Sequence, residues 1–381
     1  MEREKGNTRR KFLKKAASGI GAGFAGAYGI YGNIPVCTDN HQGKSLPERL
    51  LKNARIILET SCRAKEGESL LILADEKLLP ISPALVSAAL ELKLVPAVMD
   101  IRGFLSSTQY REGYVYNPLA KAMEAADIVI ENLADTWVPN RPDFGRLFGD
   151  YTFQDRSLNG ERRWMIVQCD GMDKWNITAE EVSGIRKRTL WLMDLLKTAK
   201  SGRVISSKGT DFTFGLGSDA GYTPVLGIIP LYGEVAVTPD LATTSGVIVA
   251  DGPTQRDVRP KNELDKKPIR IKVEKGRAID YDGDPVQVKR LQDFIASGDP
   301  PADAIDEVGI LTTRFKENDL YYWSDGTHHH NRVHIALGNN VLRDTLVHGP
   351  KHMDCEVTDP TISIDRLVIV KDGIFLDLNV T

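Results

Sequence analysis

A change of hydrophobic rhythm near residue 200 divides this chain into two kinds of secondary structure. Before it, short apolar runs at Ser69–Ala74, Pro96–Asp100, Ala126–Glu131 and Trp164–Cys169 alternate with helical stretches. Ser82 and Pro83 open one of these helices, which runs to about Leu94, with Ser as N-cap and Pro at the first helical position. Thr178-Ala179-Glu180-Glu181 is a capping box that opens a long helix to about Lys200. Strands alternating with helices predict an α/β layer with a largely parallel sheet. From Arg203 onward the runs are short and strand-like: Arg203–Ser206, Asp211–Phe214, Gly233–Val237, Gly246–Ala250, Ile269–Val273, Val333–Leu337 and Ile362–Val370. One helix, about Pro285–Ser297, interrupts them. The expected fold is an α/β N-terminal domain, residues 39–202, followed by a β-rich α+β C-terminal domain, residues 203–381.

The first 38 residues fit neither pattern. Residues 1–15 hold seven Lys and Arg against Glu2 and Glu4, and an uncharged, Gly- and Ala-rich run follows from Ala16 to Thr38. Thr8-Arg9-Arg10-Lys11-Phe12-Leu13-Lys14-Lys15 reads as a twin-arginine export signal, with the twin-arginine translocase as partner in transit and a periplasmic or extracellular destination. Gly21-Ala22-Gly23-Phe24-Ala25-Gly26 matches GxGxxG, but a basic leader precedes it where a dinucleotide site needs a strand. Gly215 and Gly217 follow the strand-like run at residues 210–214 and read as a hairpin turn.

With 41% hydrophobic and 27% charged residues the chain as a whole has the composition of a globular protein. A net charge of −3 offers no basic field for a nucleic-acid partner. The four cysteines, Cys37, Cys62, Cys169 and Cys355, include no CxxC pair, which argues against a thiolate zinc site or a disulfide framework.

The histidines locate the chemistry. Six of the seven, His328, His329, His330, His334, His348 and His352, fall within residues 328–352. His328–His330 read as a surface loop at or near a site entrance. In His352-Met353-Asp354 the imidazole and carboxylate share one face of an extended chain, as a metal site needs. His334 lies in the alternating run Asn331–Gly338. Glu234, after Pro230-Leu231-Tyr232-Gly233, and Glu307, in Asp306-Glu307-Val308-Gly309-Ile310, extend the donor set.

Taken in order, Gly233-Glu234-Val235, Glu307-Val308-Gly309, His334-Ile335-Ala336-Leu337-Gly338 and His352-Met353-Asp354 resemble the thermophilic metallopeptidase family of aminopeptidases, the aminopeptidase T or leucyl aminopeptidase type. Ser207-Lys208-Gly209-Thr210-Asp211-Phe212-Thr213 resembles that family's Gly-Thr-Asp strand, and the likeness spans roughly residues 48–381. The resemblance implies Glu234, Glu307, His334, His352 and Asp354 as ligands of two divalent ions (zinc, cobalt or manganese), with Glu307 and His334 acting in catalysis. It also implies a homodimer and a peptide or small amide substrate cleaved at its N-terminal bond by a metal-activated water. Either Glu307 or Asp354 would bridge the ions. The chain departs from the family at Val341, where the peptidases carry a tyrosine. The same superfamily includes 2,5-dihydroxypyridine dioxygenase, which shares the final His-x-Asp but has a His in place of Glu307. A mononuclear iron centre drawn from His334, His352 and Asp354 is the alternative this implies, beside a non-catalytic exported binding relative.

Overall fold

The computed structural model describes residues 46–75, 79–102, 117–132, 163–166, 172–173, 175–226, 232–252, 267–298, 300–314, 332–338 and 352–376. The leader, His328–His330, Val341, His348, Cys37 and Cys169 lie outside them. Among the described residues, no helix is long and apolar enough to cross a membrane.

The first part is a parallel layer, as the alternating pattern predicts. Strands β1 (Ser69–Ala74), β2 (Val95–Asp100), β3 (Ile128–Asn132) and β4 (Arg163–Ile166) form a four-stranded sheet in the order β2-β1-β3-β4, with every pairing parallel. Helices α1 (Glu48–Ile56, prolonged by a π-helical turn Ile57–Ser61), α2 (Ser82–Glu91) and α3 (Asn117–Ala125) accompany it. β1 and β3 are buried almost throughout, as strands covered on both faces must be. Ser82 is not the N-cap the sequence suggests. The 3₁₀ turn Leu79–Ile81 runs directly into α2, so Ile81 holds the cap position and the Ser82 side chain is buried.

Helix α4 (Ala179–Leu196) begins with the expected capping box, in which the Thr178 hydroxyl accepts from the Glu181 N–H and the Glu181 carboxylate accepts from the Thr178 N–H. It links two apolar clusters. Val182 and Ile185 join the core under the parallel sheet, while Leu192 and Leu196 join the core of the second sheet.

That second sheet is antiparallel and contains thirteen strands among the described residues. Its main path runs β14 (His352–Thr358), β13 (Arg332–Gly338), β12 (Ala304–Leu311), β11 (Arg277–Gly283), β10 (Ile269–Glu274), β9 (Asp240–Ala250), β6 (Asp211–Gly215), β5 (Ser201–Ile205), β15 (Thr361–Ile364), β16 (Leu367–Lys371) and β17 (Ile374–Phe375). β8 (Gly233–Thr238) pairs β12 from the side and carries β7 (Gly221–Leu226) on its other edge. Helix α5 (Pro285–Ala296) interrupts the strands, capped by Asp284, whose carboxylate accepts from Val286 and Gln287 N–H.

Two turn readings change. Gly215, the last residue of β6, and Gly217 do not close a hairpin, because β6 pairs β5 and β9 while β7 pairs β8. The run read as one strand from Ile362 to Val370 is a hairpin, β15–β16. Asp365 takes left-handed backbone (φ 49) there, and its carboxylate accepts from the Lys200 and Ser201 N–H groups. No glycine marks that turn in the sequence.

Candidate metal centre

All five anticipated ligands fall on four neighbouring strands, β8, β12, β13 and β14. Strand register places them on one face. Leu311 opposes Glu234, Gly309 opposes both Ala236 and His334, Ala336 opposes both Glu307 and Asp354, and Gly338 opposes His352. Residues opposite one another share a face, as do residues two apart. The ligand face therefore carries Glu234, Glu307, His334, His352 and Asp354, spaced by Ala236, Gly309, Ala336 and Gly338. The alternate residues, Val235, Val237, Val308, Ile310, Val333, Ile335, Leu337, Met353, Cys355 and Val357, belong to the core of the antiparallel sheet. Alternation thus explains how a strand can bury its apolar half and still present charged groups to a common point.

The small spacers make room. A Cβ built on Gly309 would run into the His334 ring and the Glu234 carboxylate, and one on Gly338 would run into the Asp306 carboxylate. Gly309 is absent from the positive-φ residues, so its role is space and not backbone conformation.

The donors converge closely. Glu234, Glu307 and His334 each offer a ligand atom within 4.8 Å of the others'. His334 Nε2 lies 3.1 Å from Glu307 Oε1 and 3.2 Å from Glu234 Oε1. His352 Nε2 lies 3.0 Å from Asp354 Oδ1 and 3.8 Å from Glu307 Oε2. Glu307 therefore turns one oxygen towards each imidazole.

Electrostatics follow from packing this many acids together. Burial pushes the Glu234 carboxyl up, but the charge and hydrogen bond of His334 outweigh it and hold Glu234 below the usual carboxylate range. Glu307 is raised, by burial and by the charge of Glu234. Burial lowers both imidazoles, yet the surrounding carboxylates win. His334 is raised well above its ordinary value by Glu234 and Asp354, and His352 is raised to about 10 by Asp306, Asp354 and Glu307. A pocket that draws protons onto buried imidazoles this strongly attracts any cation. Protons and divalent ions compete for the same nitrogen lone pairs.

Three features were not singled out from the sequence. Tyr232, two residues before Glu234, donates a hydrogen bond to Glu234 Oε2. Asp306 accepts from His352 Nδ1 at 2.8 Å. Glu356, opposite His334, pairs with Arg332 at 2.8 Å while almost fully buried. For Glu356 the signal was present, since it continues the alternation His352, Asp354, Glu356.

The residues fit a divalent ion. Glu234 Oε1 is buried beside His334 Nε2 at 3.2 Å, and a buried carboxylate oxygen is costly unless positive charge meets it. The donor set, imidazole and carboxylate together, suits zinc, manganese or iron.

The family model described as NicX, 2,5-dihydroxypyridine 5,6-dioxygenase, matches residues 57–377. The structure is similar to that of 2,5-dihydroxypyridine dioxygenase from Pseudomonas putida KT2440, with a TM-score of 0.58 and 19% identity over 87% of this chain and 98% of that one. It is also similar to wild-type AmpT from Thermus thermophilus, with a TM-score of 0.58 and 12% identity over 86% of this chain and 99% of that one. Comparison with curated proteins gives no match. The two structural likenesses establish the fold. The likeness to the aminopeptidase-type structure is therefore one of fold, whereas the family match falls on the dioxygenase side.

Proposed function

The chain belongs to the 2,5-dihydroxypyridine 5,6-dioxygenase family, and from that premise we propose that it is a non-haem iron enzyme that opens a hydroxylated aromatic or heteroaromatic ring with dioxygen. The observation that carries the reading is the position of Glu307 between the two imidazoles, 3.1 Å from His334 Nε2 and 3.8 Å from His352 Nε2. Two histidines and one carboxylate make up the donor set of non-haem iron oxygenases, and Glu307 offers one oxygen to each imidazole. When bound, a ferrous ion supplies the one-electron chemistry that lets a spin-paired ring react with dioxygen. The chain's own residues do the rest. His334, His352 and Glu307 hold the ion, with Asp354 beside His352. Glu234 Oε1 faces His334 Nε2 at 3.2 Å, and its charge adds to the negative field that draws the ion in. Tyr232 holds the other oxygen of that carboxylate, fixing which way it faces.

A second reading, a two-metal hydrolase acting on an N-terminal peptide or small amide bond, draws on a specific observation. Glu234, Glu307 and His334 form a three-donor group by themselves, which leaves His352 and Asp354 for a second ion. Five donors exceed what one mononuclear iron needs. The readings separate in one experiment. Protein reconstituted anaerobically with ferrous ion should hold one iron per chain and consume dioxygen in step with loss of a hydroxylated pyridine or phenol. Two zinc, cobalt or manganese ions per chain, with hydrolysis of an aminoacyl-p-nitroanilide in the absence of oxygen, would move the assignment to the hydrolase.

The proposal includes export. Arg9-Arg10 ahead of an uncharged run motivates it. Replacing both arginines with Lys should leave full-length precursor in the cytoplasm, read by fractionation and immunoblot. Undiminished export of that variant would refute the twin-arginine assignment.

A further inference from the structure

We infer that Asp306 is a positioning residue for the metal centre: it fixes the His352 ring so that Nε2 faces the metal, and its negative charge strengthens that nitrogen as a donor. The inference rests on the metal reading of the site and holds for one ion or two.

Three independent features of the chain serve this one contact. The first is a β-bulge. Ile305 opposes Leu337 and Glu307 opposes Ala336, so Asp306 is the extra residue in β12. On a regular strand, adjacent residues point to opposite faces, and one of Asp306 and Glu307 would enter the apolar core beside Val308 and Ile310. A bulge re-aims side chains. Here it brings both carboxylates to His352, Asp306 at Nδ1 (2.8 Å) and Glu307 towards Nε2 (3.8 Å). The second is Gly338, which opposes His352 on β14 and whose missing Cβ leaves the space that the Asp306 carboxylate fills. The third is burial. Asp306 is 4% exposed, and a carboxylate is kept at such a place only with partners that satisfy it.

The chemistry follows from what a carboxylate can do. It only accepts, so His352 Nδ1 carries the hydrogen and the lone pair for a metal sits on Nε2. Nε2 is the nitrogen that faces Asp354 and Glu307. A carboxylate on the far nitrogen of a ligating imidazole locks tautomer and ring orientation and raises ligand basicity. Without Asp306 the carboxylate that fixes the tautomer at Nδ1 is gone.

The test is Co(II) binding, read by titration and by the ligand-field absorption of the bound ion, in wild type, Asp306→Asn and His352→Ala. The Asn side chain keeps the size and an accepting oxygen but drops the charge, so the fold is retained and unfolding curves check it. Asp306→Asn is expected to weaken Co(II) binding about 10- to 100-fold and to shift the absorption bands. Unchanged affinity and bands, even with a lower unfolding temperature, would reduce Asp306 to a structural acid and overturn the inference. Wild-type affinity in His352→Ala would overturn it too, by removing His352 from the ligands while the metal reading stands. Absence of Co(II) binding by the wild type would instead bring down the metal reading, and this inference with it.

Discussion

Replacing Glu307 with Gln should strip the metal and lower turnover by about a thousandfold or more, roughly 4 kcal/mol of transition-state stabilisation, whichever reaction the site performs. Glu307 is the carboxylate that turns one oxygen to each imidazole, so any ion held by His334 or His352 meets it. In the Gln side chain one of those oxygens becomes an NH₂ group. That group donates to an imidazole nitrogen and occupies the lone pair the metal needs. The cluster also loses one unit of the negative charge that attracts cations. The metal-stripped fold should not suffer. Burial and the Glu234 charge raise the Glu307 carboxyl above its ordinary value, so a charged Glu307 costs stability that a neutral amide does not. The expected pattern is an unfolding temperature for stripped protein equal to or above wild type. The gain on adding metal, about 2.7 kcal/mol at a hundredfold excess over Kd in wild type, should vanish. Metal content after dialysis and paired melting curves measure it. A variant that keeps its metal and its rate would remove Glu307 from the site.

Much of this site was legible in the sequence because strand alternation is a local code. His334 and the His352/Asp354 pair sit in runs whose even and odd positions separate cleanly into ligand and core, and the structure brings them together with Glu234 and Glu307. The parallel layer and the capping box of α4 were legible for the same reason. Asp306 was not. Its neighbour Glu307 was the expected ligand, and alternation sends adjacent residues to opposite faces. Only the bulge between Ile305 and Glu307 reverses that, and the apolar pattern of the strand does not announce it. Tyr232 lies just before β8, outside the run read as strand, although its i−2 spacing from Glu234 was a usable signal. The pairing of β6 was equally hidden. Two glycines after a strand say that the chain turns, but which strand lies alongside is set by partners dozens of residues away. The choice between dioxygenase and hydrolase also exceeds local pattern. The two readings draw on the same histidines and differ in how many ions the carboxylates hold.

Gly309→Ala should disable the centre without touching a ligand, and the reason is steric. Gly309 opposes His334 on β13 and Ala236 on β8, at the middle of the ligand face. A methyl group there would press on the His334 ring and on Glu234 Oε1. The φ of Gly309 lies outside the positive region, so alanine suits the backbone and the conflict falls on the side chains. On one side is a buried strand, on the other a ring held by Glu234 and Glu307, so neither yields cheaply. Overpacking of this kind costs about 1–3 kcal/mol of stability. Displacing a ligand by about 1 Å costs about a hundredfold in rate. A double-mutant cycle isolates the cause. In a His334→Ala background the ring is gone and the added methyl has room, so the stability penalty of Gly309→Ala should shrink by most of its single-mutant value. Denaturant unfolding of the four proteins, stripped of metal, measures the coupling. A penalty that stays the same with and without the His334 ring would mean that Gly309 acts through the strand itself, and the account of small spacers between ligands would fail.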